Sequence, residues 1–124
     1  MPRRIVGSPK PLRIGLIIHR APSAGDHMEN MLRIADECLK TGCQVDVFAL
    51  SDGVWLARMK WSKRIQTVLR NIVHRGGRII VSESHLKAAG VGSKLPTGWM
   101  KLDGDPYWRL AGLVMDEWDR VIVI

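Results

Sequence analysis

Short apolar runs that alternate with amphipathic segments most strongly constrain the fold of this chain. The apolar runs lie at 12–19 (LRIGLIIH), 44–50 (QVDVFAL) and 78–82 (RIIVS), and each is nearly continuous. Such runs are typical of strands that are covered on both faces, as in a parallel sheet. Between them, over 26–41 and 62–75, apolar residues recur at helical spacing. We therefore expect a three-layer α/β architecture, a mostly parallel sheet flanked by helices with right-handed crossovers.

Capping residues and glycines indicate where the two long helices begin and end. Asp26 is expected to cap the first helix, with Glu29 three residues later as in a capping box. Gly42 suits the left-handed position after that helix. Gly76 and Gly77 are expected to end the second helix.

Shorter elements are predicted beside these strands. A turn at 51–53 leads into a short helix or an irregular segment at 54–59. After the third strand, a short helix over 83–89 ends at Gly90. The following segment, 92–104, is rich in Gly and Pro and is predicted to be a loop.

A further helix and a closing strand are predicted from residue 105 onward. Asp105 is expected to cap a helix that has Pro106 at its first position. Trp108 and Trp118 fall at helical core spacing, so both are expected to be buried. An apolar run at 119–124 then completes the order β-α-β-α-β-α-α-β.

Length and composition indicate one globular domain in the cytoplasm. The 124 residues are 46% hydrophobic and 25% charged, as in soluble proteins. We expect an extended arm over 1–11 and a single α/β domain over 12–124. No apolar run reaches the roughly 20 residues that cross a bilayer, and the basic first residues lack the apolar core of a signal peptide. No membrane association is expected.

The net charge of +7 is distributed unevenly. No acidic residue lies between Asp52 and Glu83, whereas basic residues are frequent over 58–78. These are Arg58, Lys60, Lys63, Arg64, Arg70, Arg75 and Arg78. The stretch is interpreted either as a solvated helix face or as a surface for an acidic protein, an anionic ligand or nucleic acid.

Three segments and the closing strand follow an order that is shared with a known family. The first is the strand, loop, helix and strand over 12–50, and the second is SDGVWLA at 51–57, with its DGV turn. The third is GGRIIVSESHLKAAGV at 76–91, a strand, a short helix and a glycine, and WDRVIVI closes the sequence. Through these segments the chain resembles the DsrE/TusD-like (DsrE/DsrF-like) sulfur-relay family over 12–124. The resemblance implies a DsrE-like fold.

The resemblance also implies a role without sulfur chemistry. Catalytic members of the family carry persulfide sulfur on a cysteine at the position that Ser82 holds here. A serine hydroxyl cannot hold persulfide sulfur and is a poor nucleophile without an activating base. Because family members commonly form trimers or hexamers, the resemblance implies a noncatalytic subunit or interaction module in intracellular sulfur trafficking. It would be a homo-oligomer or pair with related subunits, and tryptophans near loops are expected to serve this packing: Trp55, Trp61 and Trp99.

Two cysteines leave a sulfur-carrier alternative open. Cys38 lies on the apolar stripe of the first predicted helix, where a thiol behaves as a small hydrophobe. Cys43 follows that helix at the end of the sheet opposite Ser82, and a free thiol there would give a sulfurtransferase-like carrier. The cysteines lack CxxC spacing and do not cluster with histidines, so no disulfide framework, metal site or cofactor is expected.

Polar residues follow the ends of the three central strands. His19 and Arg20 end the first strand, Asp52 follows the second, Ser82 ends the third and His85 lies in the N-terminal part of the next helix. Because the carboxyl ends of parallel strands meet at one edge, a small polar crevice is predicted there. It is interpreted as ordinary loop capping, as a pocket for an anion or sulfur substrate, or as a subunit contact.

Overall fold

Five parallel strands form one sheet in the part of the chain that the computed structural model describes. The strand order is β4-β3-β2-β1-β5. The strands are β1 Arg13–Ile18, β2 Gln44–Ala49, β3 Arg78–Ser82, β4 Met100–Leu102 and β5 Arg120–Val123. The described residues are 11–21, 26–58, 60–90, 92 and 94–124. Residues 1–10 of the predicted arm lie outside them.

Helices connect the strands and cover both faces of the sheet, which confirms the predicted three-layer architecture. The α-helices are α1 Asp26–Lys40, α2 Lys63–His74, α3 Glu83–Ala89 and α4 Pro106–Gly112. A 3-10 helix, Ser51–Ala57, follows β2, and a π-helical turn, Leu113–Glu117, continues directly from α4.

Alternate residues of β1 serve opposite layers of the core. Leu16 and Ile18 pack in the layer formed with α1 and α2. Ile17 packs in the other layer with Leu113 and Trp118, on the α4 side. Because successive side chains of a strand point to opposite faces, burial on both faces explains why the strand sequences are nearly continuous apolar runs.

Capping residues and glycines define several helix ends at the predicted positions. The Asp105 carboxylate accepts hydrogen bonds from the first turn of α4, at 2.9 Å from the Tyr107 nitrogen, and Pro106 occupies the first turn. Gly90 ends α3 in the left-handed conformation, with φ of 70°. Glu29 is buried and pairs with Arg64 of α2 at 2.6 Å, so its carboxylate joins two helices. The side chain of Asp26 lies outside the described residues.

Strand β4 lies inside the segment that was predicted to be a loop. It pairs in parallel with β3, with Ile80 opposite Met100 and Ser82 opposite Leu102. It is only three residues long, and Met100 is exposed. A short edge strand with an exposed apolar residue has neither the length nor the periodicity that sequence patterns detect, which is why the loop prediction was wrong here.

Helix α4 presents a different face to the sheet from the one predicted. Trp108 is 81% exposed, and Met115, seven positions further along the same helix face, is also 81% exposed. Leu110 and Leu113 supply the packed face instead. The burial prediction for Trp108 was therefore wrong, whereas Trp118 is only 7% exposed. Trp118 lies just beyond the helical segment, in extended backbone with φ of −92° and ψ of 136°, so helical spacing no longer sets the direction of its side chain.

Candidate functional site

The carboxyl ends of β1, β2 and β3 lie side by side, as the predicted crevice requires. Ile18 of β1 is level with Ala49 of β2, which is level with Val81 of β3. The backbone leaving β2 folds back over β1, since Leu50 donates its N–H to the Ile18 carbonyl at 3.0 Å. Gly53 then passes so close that a Cβ there would overlap the same carbonyl oxygen. This close approach is the physical reason for the glycine of the DGV turn.

Ser82 is a helix cap whose side chain is inaccessible to solvent. The residue is fully buried, at 0% exposure. Its Oγ accepts the backbone N–H of His85 at 3.5 Å and lies 3.3 Å from the Oγ of Ser84. Ser82 thus ends β3 and begins α3 with its hydroxyl satisfied internally. In this conformation the hydroxyl is therefore not exposed to an external substrate.

His85 joins α3 to the end of β2. Its Nδ1 accepts the backbone N–H of Ser51 at 2.8 Å. The ring also contacts Tyr107 of α4 edge to face, with centroids 5.8 Å apart. Because Nδ1 is used as an acceptor, His85 acts here as a structural link between three elements.

The predicted crevice residues divide into two groups. Ser82 and His85 are joined by a hydrogen bond. The side chains of His19, Arg20 and Asp52 are exposed at the neighbouring strand ends. Within the described residues, no hydrogen bond or ion pair links these three to each other or to the first two. The geometry at this edge is one of caps and links rather than of a nucleophile beside a base.

The two thiols lie at the opposite end of the sheet from Ser82. Cys43 immediately precedes β2, and its Sγ lies 3.8 Å from the Oγ1 of Thr41. Cys38 is half-buried on α1 and packs against the core between the helices and the sheet. Burial, with a smaller effect from Cys43, raises the pKa of the Cys38 thiol. A raised pKa makes this thiol less reactive at neutral pH.

The basic stretch over 58–78 is partly used inside the fold. Three of its arginines pair with carboxylates from other elements. These pairs are Arg64 with Glu29 at 2.6 Å, Arg75 with Asp36 at 2.9 Å and Arg78 with Asp46 at 2.6 Å. Most basic residues of the stretch are exposed, as the solvated-face interpretation expects. Arg64, Arg75 and Arg78 are already paired with carboxylates, so these three are less available to an external partner.

Asp46 anchors a polar cluster that the sequence analysis did not identify. Arg78 donates two hydrogen bonds to its carboxylate, at 2.7 and 2.6 Å, and Trp118 donates its indole N–H at 2.9 Å. The bonds to Asp46 raise the pKa of the Arg78 guanidinium. Trp118 can lie here because Gly15, opposite Asp46 in β1, has no side chain. The detectable signal was an aspartate inside an otherwise apolar strand, since such residues are rarely buried unpaired.

Apolar side chains are exposed on the α4 side of the sheet. Val121 and Val123 of β5 lie opposite Gly15 and Ile17, so they face the same side as α4. We call these exposed residues the α4-side apolar surface: Tyr107, Trp108, Val114, Met115, Val121 and Val123. Trp108 and Met115 also line a shallow cavity of about 340 Å³ on the outer face of the helix. Exposed apolar patches often mark sites of contact with other proteins, so this surface is a candidate for such contact.

Two further features bear on function class. Among the described residues, no group of three or more His, Cys, Asp or Glu side chains is arranged to hold a metal ion. No helix in that same part of the chain has the length and apolar character needed to span a bilayer.

Comparisons with known proteins show similarity in fold but not in sequence family. No protein-family model matches the sequence, and no curated protein matches it. The fold is similar to that of the YchN protein from E. coli, with a TM-score of 0.70 and 16% identity over 91% of this chain and 99% of that one. It is also similar to MTH1491, a protein of unknown function from Methanobacterium thermoautotrophicum, with a TM-score of 0.66 and 18% identity over 91% of this chain and 99% of that one. The chain therefore has the DsrE-like α/β fold.

Proposed function

We propose that this protein is a noncatalytic, self-associating subunit that acts in intracellular sulfur trafficking in the cytoplasm. The DsrE-like fold supports the link to sulfur relay. The buried, capping role of Ser82 supports the absence of chemistry at the position where the related family uses a cysteine. The protein would contribute a docking surface rather than a reactive group.

The observation that carries this proposal is the exposure of Trp108 and Met115. Both side chains are 81% exposed on α4 and the turn after it. Burying apolar surface contributes roughly 25 cal/mol per Å², and tryptophans at the centre of an interface are frequent energetic hot spots. An interface formed by the α4-side apolar surface would therefore be hydrophobic and insensitive to salt.

Oligomeric state tests the subunit proposal directly. Analytical ultracentrifugation of the wild-type protein should show a trimer or hexamer that persists in 1 M salt. At that concentration the Debye length is about 3 Å, so interactions between exposed charges are largely screened. Trp108→Glu should dissociate it. Ile34→Glu places the same charge at an exposed apolar residue of α1, outside the α4-side apolar surface, and should leave assembly unchanged. A wild-type monomer at all concentrations would contradict the proposal.

Sulfur loading tests the noncatalytic part. Intact mass is measured after incubation with polysulfide, under conditions that load a persulfide-forming control protein. The proposal expects no reducible gain of sulfur. A gain that disappears in Cys43→Ala would instead support the carrier alternative, because Cys43 is a half-exposed thiol.

A further inference from the structure

A cavity of about 470 Å³ lies between α2 and the turn at 96–99, away from the α4-side apolar surface. Its size falls in the range of roughly 300–1,000 Å³ that is usual for small-molecule sites. The apolar part of its lining consists of Leu69, Val73, Pro96 and Trp99. The cavity thus has the apolar walls expected of a ligand site.

The turn that forms one wall is held rigidly against the helix. Trp99 donates its backbone N–H to the Pro96 carbonyl at 3.2 Å, and Gly98 between them has φ of +89°, as in a type II turn. A Cβ at Gly98 would lie 2.7 Å from the Cγ1 of Val73. Only glycine satisfies both the backbone conformation and this close approach. The turn is therefore packed directly against α2 at this wall of the cavity.

The other wall carries a row of polar side chains. Gln66, Arg70 and His74 are spaced four residues apart on α2, so they lie on one helix face. Gln66 is fixed by donating its side-chain amide to the Trp61 carbonyl at 2.7 Å. Among the described residues that line the cavity, none is acidic. The rim of the cavity is therefore cationic or neutral.

Arg70 differs from the other arginines of the same region. Arg64, Arg75 and Arg78 each pair with a carboxylate. Within the described part of the chain, no carboxylate pairs with Arg70. Arg70 is exposed and lines the cavity. A guanidinium beside an apolar, half-enclosed space is well suited to bind a carboxylate or sulfonate through charge-assisted hydrogen bonds.

We propose that this cavity binds a small organic anion with a flat apolar body. The anionic group pairs with Arg70, with His74 beside it, and the body lies against Trp99 and Pro96. This site goes beyond the proposed subunit role, because it uses neither the α4-side apolar surface nor a thiol.

The probe for the test is 2-naphthoate, with neutral 2-naphthamide as its matched analogue. Both are titrated into the full-length protein labelled with ¹⁵N, and amide chemical shifts are followed by NMR. We expect naphthoate to shift the amides of Val73, Gly98 and Trp99 and to bind about tenfold more tightly than naphthamide, since a charged hydrogen bond contributes on this scale. Arg70→Gln should remove that preference.

A matched control separates a local contact from a general effect of charge. Lys63→Gln removes the same charge from the first residue of α2, which does not line the cavity. It should leave naphthoate affinity unchanged. The proposal would be overturned if the two probes bound equally well or if Arg70→Gln bound naphthoate as tightly as wild type. It would also be overturned if the chemical shift changes were confined to another surface, or if millimolar naphthoate caused none. The outcome is independent of oligomeric state and sulfur loading.

Discussion

The backbone N–H of Ser51 donates a hydrogen bond to the Nδ1 of His85 at 2.8 Å, across 34 positions of sequence. Ser51 has φ of 51°, in the left-handed region, which costs a non-glycine residue roughly 1 kcal/mol. The bond therefore holds an unfavourable backbone conformation at the end of β2. It gives His85 a structural role at this edge of the sheet.

Replacing His85 should destabilise the protein according to whether an acceptor is kept. His85→Ala leaves the Ser51 N–H unsatisfied, so we expect the free energy of unfolding to fall by about 1–3 kcal/mol. His85→Asn provides a side-chain oxygen near the Nδ1 position and should cost less. Urea denaturation measures the free energy of unfolding of both variants. An Ala variant as stable as wild type would show that this hydrogen bond does not stabilise the fold.

Two glycines should respond to alanine in opposite directions. A Cβ at Gly53 would overlap the Ile18 carbonyl oxygen, which belongs to the backbone of a central strand and cannot move aside. We expect Gly53→Ala to lower the free energy of unfolding by about 1–3 kcal/mol.

The control is Gly112→Ala at the end of α4, where the backbone is helical and no atom lies within 4 Å of the added Cβ. It should stabilise the protein by roughly 0.5–1 kcal/mol. Thermal or urea unfolding of the two variants compares them. Similar effects of both substitutions would argue against the close packing of the turn on β1.

A cysteine placed at Ser82 should be protected from reagents in solution. Ser82→Cys, made in a background with both native cysteines replaced by alanine, puts a thiol at a fully buried position. We expect it to react with Ellman's reagent only slowly in the native protein and rapidly in denaturant. Fast reaction of the native protein would mean that the position is open to substrates and would weaken the noncatalytic interpretation.

Cys38 should be the less reactive thiol at neutral pH. Its pKa is raised mainly by burial, so at any pH below that value a smaller fraction is thiolate than for an ordinary cysteine. In Cys43→Ala, the rate of alkylation by iodoacetamide should therefore rise with a midpoint above that of a free cysteine in a peptide. A midpoint at or below the peptide value would contradict the burial of this side chain.

Strands β1, β2 and β3 could be predicted because burial on both faces makes their sequences nearly continuous apolar runs. The first three predicted strands match β1, β2 and β3 to within one residue at each end, and the short helix after β3 was predicted with the observed bounds. Each of these elements is marked by a local pattern, either a continuous apolar run or a glycine at a helix end. Strand β4 has no such pattern, because its place in the sheet comes from pairing with β3.

The candidate site was less predictable because its contacts join distant parts of the chain. The position of Ser82 and His85 followed from topology, but the link from His85 to Ser51 depends on how α3 packs over the end of β2. In the same way, the carboxylates that neutralise Arg64, Arg75 and Arg78 come from α1 and β2. A count of charges along the sequence does not reveal such partners. It therefore overestimated how much basic charge is left without a carboxylate partner.

The parallel pairing of β1 with β5 has a consequence for how the chain is made. Arg13 and Asp119 are 106 positions apart, yet the Asp119 carboxylate accepts the Arg13 backbone N–H at 2.9 Å beside that pairing. A ribosome must therefore synthesise almost the whole segment between them before the outer edge of β1 finds its partner. Folding begins during synthesis, and pairings between distant segments form slowly. Among the central strands, β1 therefore remains longest with one edge that lacks its hydrogen-bonding partner.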